Sequence, residues 1–479
     1  MKKQYYEIDM CSGPLASKIL LFALPLMASS LLQLLFNAAD IVVVGKFVGK
    51  EALAAVGSNT SLINLLISLF VGLSVGTNVT LARDMGAGKM DSVRRGVHTS
   101  ILLALVSGVI LTVVGVTLAP QLLEWMKSPD DVIGLGSIYL RVYFLGMPAT
   151  MAYNFGSAVL RAQGDTRRPL YYLLTAGVAN VAMNLFFVIV LNMGVAGVGA
   201  ATSISQYISA ALVLRCLMKE QGALHLELRQ LRIDPVVARR IMQVGLPAGF
   251  QGVVFALSNV AIQSSINSFG STVMSGSAAA QNIESFVYAA MNTFYQAALT
   301  FTGQNYGAGK CKRVDRVALW CQGFAILTGL VLGNLAYYFG HSLISIYVQP
   351  GPEQEAIIAA GLIRLSRIGR MYALCGIMDT MVGSLRGIGY SVVPMVVSLL
   401  GSCVLRLVWV YTIFPMDPTP ENLFLSYPIT WVVTGAVHVI FFLAVRKKAY
   451  GKIQGDGPSY LAVDGHHPEV ESVPAKEHK

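Results

Sequence analysis

One aspartate inside an apolar run has the chemistry to define this chain. Asp40 stands between Leu34-Leu35-Phe36 and Ile41 to Val44. A charged carboxylate at the centre of a bilayer costs about 2.5–3.5 kcal/mol, so the position demands a partner, water or an exchangeable cation. Gln33, Asn37 and Asp40 are spaced by four and three, which places them on one stripe of a helix. Asn180 and Asn184 lie one helical turn apart, and Thr202 follows in the next apolar run. Counted along their spans, these residues fall at one depth, where carbonyl, amide and hydroxyl oxygens can surround the carboxylate. Helix-to-helix hydrogen bonding is the plain alternative for the two amides.

The rest of the chain carries other acids in apolar surroundings. Asp379 and Glu284 are the two to weigh, with Phe255, Phe286 and Tyr288 as aromatic and apolar wall. The expected division is cation coupling at Asp40, Asn180, Asn184 and Thr202, and substrate contact at Gln33, Asn37, Asp379, Glu284 and Phe255.

Positioning these residues is the task of a membrane bundle. Hydrophobic residues make up 54% of the 479 and charged residues 13%, and the mean hydropathy is +0.61, leaving too little polar surface for a chain solvated by water. A span needs about 20 mostly apolar residues. Twelve such stretches are counted, starting near Ile19, Leu53, Val97, Ser137, Leu170, Val195, Ile241, Val273, Ala318, Ala359, Val392 and Leu425.

The chain also repeats itself. Leu24-Pro25 and Leu246-Pro247 are 222 residues apart, the Gly86-Ala-Gly-Lys89 and Gly307-Ala-Gly-Lys310 loops 221, and the Leu160-Arg161 and Leu385-Arg386 motifs 225. Two halves of six spans put both Gly-Ala-Gly-Lys loops on one face, so the repeats run parallel, a pattern common in transporters with the pathway at the repeat interface. The fold class expected is an all-α polytopic membrane protein, twelve helices in two parallel six-helix repeats forming a two-lobed bundle. Residues 1–218 form the first lobe, 219–240 the linker, 241–451 the second lobe, and 452–479 a disordered tail. The duplication is imperfect where the chemistry lies: Asp40 corresponds to Ile262, Asn180 and Asn184 to Leu405 and Trp409, and Asp379 to Asn154.

Basic residues collect in the even-numbered loops, as in Arg94-Arg95, Arg167-Arg168, Arg239-Arg240 and Lys312-Arg313. The positive-inside rule therefore puts both termini in the cytoplasm and the protein in the plasma (inner) membrane. That loop charge accounts for the net +10 without a nucleic-acid partner. The expected partners are lipid and small lipophilic solutes, with the chain acting as a monomer. Ile19 onward reads as a retained first span rather than a removed signal. Six cysteines without C-x-x-C spacing are expected to be reduced packing residues, and His466-His467 a solvated tail pair, so no metal site is called.

Several motifs fail. Gly309-Lys310 resembles the end of a P-loop, but Gln304 stands where its first glycine should be and Cys311 where Ser or Thr should be, so no phosphate cradle forms. Gly72-x-x-x-Gly76 reads as close helix contact. No hydrolytic constellation such as H-E-x-x-H or G-x-S-x-G is present. The chain is accordingly not expected to be an enzyme or to need a cofactor, and secondary transport is the leading class.

The early Pro25, Gln33 and Asp40, the Gly45 and Ala52-Leu-Ala-Ala-Val56 that follow, the Gln304-Asn-Tyr-Gly-Ala-Gly309 loop and the paired Leu-Arg motifs together resemble the multidrug and toxic compound extrusion (MATE) family, over about Ile19 to Lys448. The resemblance implies efflux of lipophilic, mostly cationic compounds in exchange for H+ or Na+, through a V-shaped cleft between two lobes. It also maps a first-lobe cation site onto Asp40, Asn180, Asn184 and Thr202. Two departures stand out: some members have a carboxylate at the position of Asn184, and some a glutamate at the position of Phe255. With a carboxylate missing from each pair, a tight Na+ cage loses net charge, which tilts the expectation toward H+.

Arg364, Arg367 and Arg370 are spaced by three and are expected to anchor an outer interface by snorkelling. An anion contact is the sharper alternative. It keeps open a second function, flipping of lipid-linked or polysaccharide precursors by a member of the same superfamily. A channel would need a repeated filter loop, which the sequence lacks.

Overall fold

A computed structural model describes residues 6–125, 130–348 and 350–455, and in them the chain is helical throughout with no strand. Twelve helical rods follow one another: α1 Leu15–Phe47, α2 Lys50–Gly86, α3 Met90–Trp125, α4 in two pieces (Asp130–Phe144 and Met147–Ala162), α5 Arg167–Leu185 extended by a π turn Phe186–Val190, and α6 Gly194–Lys219. The second set is α7 Pro235–Asn267, α8 Ser271–Gly307, α9 Cys311–Tyr338, α10 in two pieces (Gln354–Arg367 and Tyr372–Gly387), α11 Val392–Thr412 with a π turn at Leu399–Val404, and α12 Pro420–Gly455. Among the described residues nine helices are long and apolar enough to cross a membrane. The other three rods are the two broken ones, α4 and α10, and α8, which carries Gln281, Asn282, Glu284, Asn292 and Gln296 in its length. Helix α12 continues through Gly455 into the stretch expected to be tail, and His466-His467 lie outside the described residues.

The repeat is written into the caps. Gly88 and Gly309 both take φ +70°, which only glycine adopts without strain. In both, the next residue closes back on the helix: Lys89 N donates to Asp84 O at 2.9 Å and Lys310 N to Asn305 O at 2.9 Å, the Schellman arrangement. The same loop is therefore built twice.

Glycines also bring the halves together. A Cβ on Gly72 would lie 2.2 Å from Gly249 N, and one on Gly76 2.1 Å from Ile241 O. Helices α2 and α7 thus touch backbone to backbone, as the Gly72-x-x-x-Gly76 spacing predicts. Packing crosses the midline elsewhere too. Leu15, Ile19, Phe22 and Leu26 at the start of α1 join the core of the second half, with Phe22 edge-on to Phe301 at 5.5 Å, whereas Val43 and Val44 at its end join the core of the first. Pro25 lies within the first of these contacts, just before Leu26.

The connection 220–234 is packed rather than loose. Leu224 and Leu226 are buried against Leu81, Val93 and Val97. Arg168 pairs with Glu220, and Arg95 with Asp234 at 3.0 Å. Asp234 caps α7 by accepting from the Val236 and Val237 N–H groups at 3.0 and 3.1 Å.

Candidate cation and substrate sites

A single close approach sets up the first-half site. A Cβ on Gly177 would lie 1.9 Å from the ring of Phe36, so glycine there lets α1 lie directly on α5. One turn beyond, Asp40 meets the amides. Asn184 Nδ2 donates to Asp40 Oδ1 and to Asn180 Oδ1 at 3.3 Å. Thr202 Oγ1 reaches Asp40 Oδ2 at 3.5 Å and receives a bond from Asn180 Nδ2 at 3.4 Å. Asn180 and Asn184 are buried and Asp40 is half-buried. Three helices therefore bring the carboxylate, two amides and a hydroxyl to one point, and Asn184 Oδ1 is a buried acceptor without a donor. Tyr139 and Tyr143 stand within electrostatic range of Asp40. Oxygens dominate this cluster, which suits a hard cation or a proton held on the carboxylate.

Gln33 and Asn37 share the stripe of Asp40 but are exposed and outside this network.

The second half disposes of its acids differently. Glu284 is buried against Arg364, whose Nη2 donates to Oε2 at 2.9 Å and whose Nε donates to both oxygens at 3.2 Å. Ser277 Oγ accepts from Arg364 Nη1 at 2.9 Å, and the Phe424 ring lies 5.6 Å from the guanidinium. Arg364 is thus a buried partner instead of a snorkelling anchor, because an acid, a hydroxyl and an aromatic face satisfy it inside the bundle. Arg367 and Arg370 are exposed, and Arg370 lies over Tyr337 at 5.1 Å. Asp379, half-buried on α10, has Tyr288 and Asn292 of α8 beside it and Arg386 acting on it from two turns further along the same helix. Phe255 is partly buried against the second-half core. The first-half site and Asp379 are separate places, one in each half.

Arg406, which the sequence reading passed over, is buried on α11 against Thr430 and Tyr427. An arginine within the run Leu405 to Tyr411 was the available signal. Among the described residues no three His, Cys, Asp or Glu cluster as a metal site would require.

On the face of the Gly-Ala-Gly-Lys loops the halves are joined. Arg83 Nε donates to Gly387 O at 2.9 Å, and Gln304 Nε2 to Ala162 O at 2.6 Å. The segment before α1 crosses the same face: Asn305 Nδ2 and Arg313 Nε donate to Met10 O, and Gln163 donates to Glu7. The bundle is closed on this side.

A family model, MatE, matches residues 25–186 and again 247–412, so each copy begins at one of the paired prolines. The chain is 29% identical over 83% of its length to a probable multidrug resistance protein, YpnP, of Bacillus subtilis, covering 88% of that protein. It is 26% identical over 81% of its length to a probable multidrug resistance protein, NorM, of Thermotoga maritima, covering 84% of it. The fold matches that of a MOP superfamily transporter from Pyrococcus furiosus, described as having a binding pocket of reverse polarity, with a TM-score of 0.87, 21% identity and coverage of 94% and 99% of the two chains.

Proposed function

This chain belongs to the MatE family, and from that premise we propose that it is a secondary antiporter in the plasma membrane, both termini cytoplasmic, exporting lipophilic and mostly cationic compounds in exchange for H+ or Na+. The observation that carries the reading is the Asp40 carboxylate held by Asn184 and Thr202 inside the first half. A lone carboxylate in a span is costly when charged and bare, and it is stable when protonated or when a cation sits among the oxygens of Asp40, Asn180, Asn184 and Thr202. Alternation between the two forms ties cation release to a change in packing of α1, α5 and α6. The similarity to proteins named for multidrug resistance supports the solute class.

Asp379 supplies the charge for a cationic solute. Among the described residues no arginine holds it by contact, whereas Glu284 is fully engaged by Arg364 and joins α8 to α10. Phe255 and Tyr288 provide apolar wall, and Gln33 and Asn37 line the α1 side.

Reconstitution in liposomes with an imposed proton or sodium gradient tests the assignment. Wild-type chain exports a lipophilic cation only with one of the gradients, and Asp40→Asn inserts normally but shows no gradient-driven export. Full export by Asp40→Asn refutes the coupling role.

A second reading, flipping of anionic lipid-linked precursors, draws on the buried arginines Arg364, Arg386 and Arg406. It expects no export of lipophilic cations in the same vesicles.

A further inference from the structure

The second half buries a cation that no carboxylate neutralises by contact. Arg406 is 3% exposed. Its Nη2 donates to Thr430 Oγ1 at 3.1 Å, its guanidinium lies 3.9 Å over the Tyr427 ring, and its Nε has no hydrogen-bond partner. Among the described residues no Asp or Glu pairs with it, in contrast to Arg364, which Glu284 holds at 2.9 Å. A desolvated guanidinium without a counter-charge is costly, and the stack on Tyr427 offsets only part of that cost.

The repeat explains the position. Pro169 and Pro394 open α5 and α11 at one register, 225 residues apart, so simple counting sets Arg406 opposite Val181. Helix α11 runs through its π turn at Leu399–Val404 before reaching Arg406, whereas α5 turns π only at Phe186–Val190, beyond Asn180 and Asn184. A π turn closes i to i+5 and takes in one residue more than an α turn. That extra residue brings Arg406 into the place of Asn180. The hydrogen bonds agree: Asn180 Nδ2 donates to Thr202 Oγ1 of α6, and Arg406 Nη2 donates to Thr430 Oγ1 of α12, the equivalent helix. The counterpart of Asp40 is Ile262, buried at 1%, so the carboxylate is gone where the guanidinium has arrived.

We propose that Arg406 is a tethered cation filling the second half's counterpart of the Asp40 site, so that the coupling cation is exchanged in the first half alone. This rests on the reading of Asp40 as the exchange site. A guanidinium stays charged at every physiological pH and cannot leave, so the place it fills can neither release a proton nor admit Na+.

Chemical rescue of the full chain in proteoliposomes tests this. Arg406→Gln empties the space between Tyr427 and Thr430 of its tethered cation, and export under the imposed gradient falls severalfold. Millimolar guanidinium chloride restores most of it, while the same concentration of sodium chloride or urea does not. Arg406→Lys, which keeps a tethered cation, retains most of the export. Wild-type export by Arg406→Gln, or a loss that guanidinium does not repair, overturns the proposal. If Arg406→Gln does not accumulate in the membrane, Arg406→Lys decides, because a well-inserted but inactive Lys chain also overturns it. Asp40→Asn is run beside these: gradient-driven export by that chain would remove the Asp40 reading and the claim that the first half alone exchanges the cation, while the guanidinium result still judges what fills the Arg406 site.

Discussion

Arg83 and Gln304 are counterparts in the two halves, 221 residues apart, and each donates a hydrogen bond to the opposite half at equivalent carbonyls. Arg83 Nε reaches Gly387 O at 2.9 Å, and Gln304 Nε2 reaches Ala162 O at 2.6 Å. The backbone repeats the exchange: a Cβ on Gly86 would meet Gln304 O at 2.0 Å, and one on Gly307 would meet Arg83 O at 2.1 Å. A two-fold seal therefore closes the bundle on the Gly-Ala-Gly-Lys face.

Under the antiport proposed above, this seal must break for solute to enter from the loop face. A hydrogen bond from a charged donor contributes about 1.5–3 kcal/mol and a neutral one about 1 kcal/mol, so Arg83→Ala loosens the closed state more than Gln304→Ala. A cysteine placed at the position of Asn78, in a chain whose six native cysteines are replaced, reads this out. Labelling by a membrane-impermeant thiol reagent from the loop face rises in both variants and most in Arg83→Ala. Unchanged labelling in both would show that the glycine contacts alone hold the face shut.

The amide pair separates coupling from adhesion. If Asn180 and Asn184 serve the cation, Asn184→Ala shifts the H+ or Na+ dependence of export with little change in thermal stability. If they only join α1, α5 and α6, the same substitution lowers stability by about 0.6–2 kcal/mol and leaves the cation dependence as it was. The first outcome is expected, because Asn184 Oδ1 is a buried acceptor that no protein donor reaches. Thr202→Val provides the matching measurement on α6.

Asp379→Asn is expected to weaken export of a monocationic compound several-fold more than that of a neutral dye, with the cation dependence of export preserved. One buried carboxylate among aromatic walls pairs with an organic cation, whereas a neutral solute gains little from it. Equal loss for both solutes, or an altered H+ or Na+ dependence, would place Asp379 in coupling.

Acid should release the connection between the halves before it unfolds the helices. Burial pushes the Asp234 carboxyl up, but the Val237 N–H, the Arg95 guanidinium and the Val236 N–H together hold it below the usual carboxylate range. A carboxyl whose folded value is depressed stabilises the fold above its unfolded value, and that contribution is lost as pH falls through the folded one. Asp234→Ala should cost about 1 kcal/mol at neutral pH as a lost N-cap and less at strongly acidic pH. Hydrogen exchange at the start of α7, followed against pH in the two chains, checks both the size and the direction.

The sequence by itself determined the helices, their duplication and the presence of a carboxylate, Asp40, inside an apolar run. Apolar runs long enough for a bilayer, paired prolines and paired Gly-Ala-Gly-Lys loops are local signals, and the structure forms them as twelve rods with the same caps twice. Asp40 was legible because a charge in an apolar run is rare whatever surrounds it, and the Gly72 to Gly76 spacing announced a close contact without naming its partner. Tertiary structure alone decided which charges were already answered. Glu284 and Arg364 are 80 residues apart in the chain, and no spacing rule joins them, yet the structure pairs an acid expected at the substrate with an arginine expected at the outer interface. The crossing of α1 into the second core and the exchange between Arg83 and Gln304 likewise depend on how the halves meet. Arg406 reaches the place of an asparagine through one added residue in a π turn, a shift of register that side-chain periodicity cannot record because it arises from backbone hydrogen bonding.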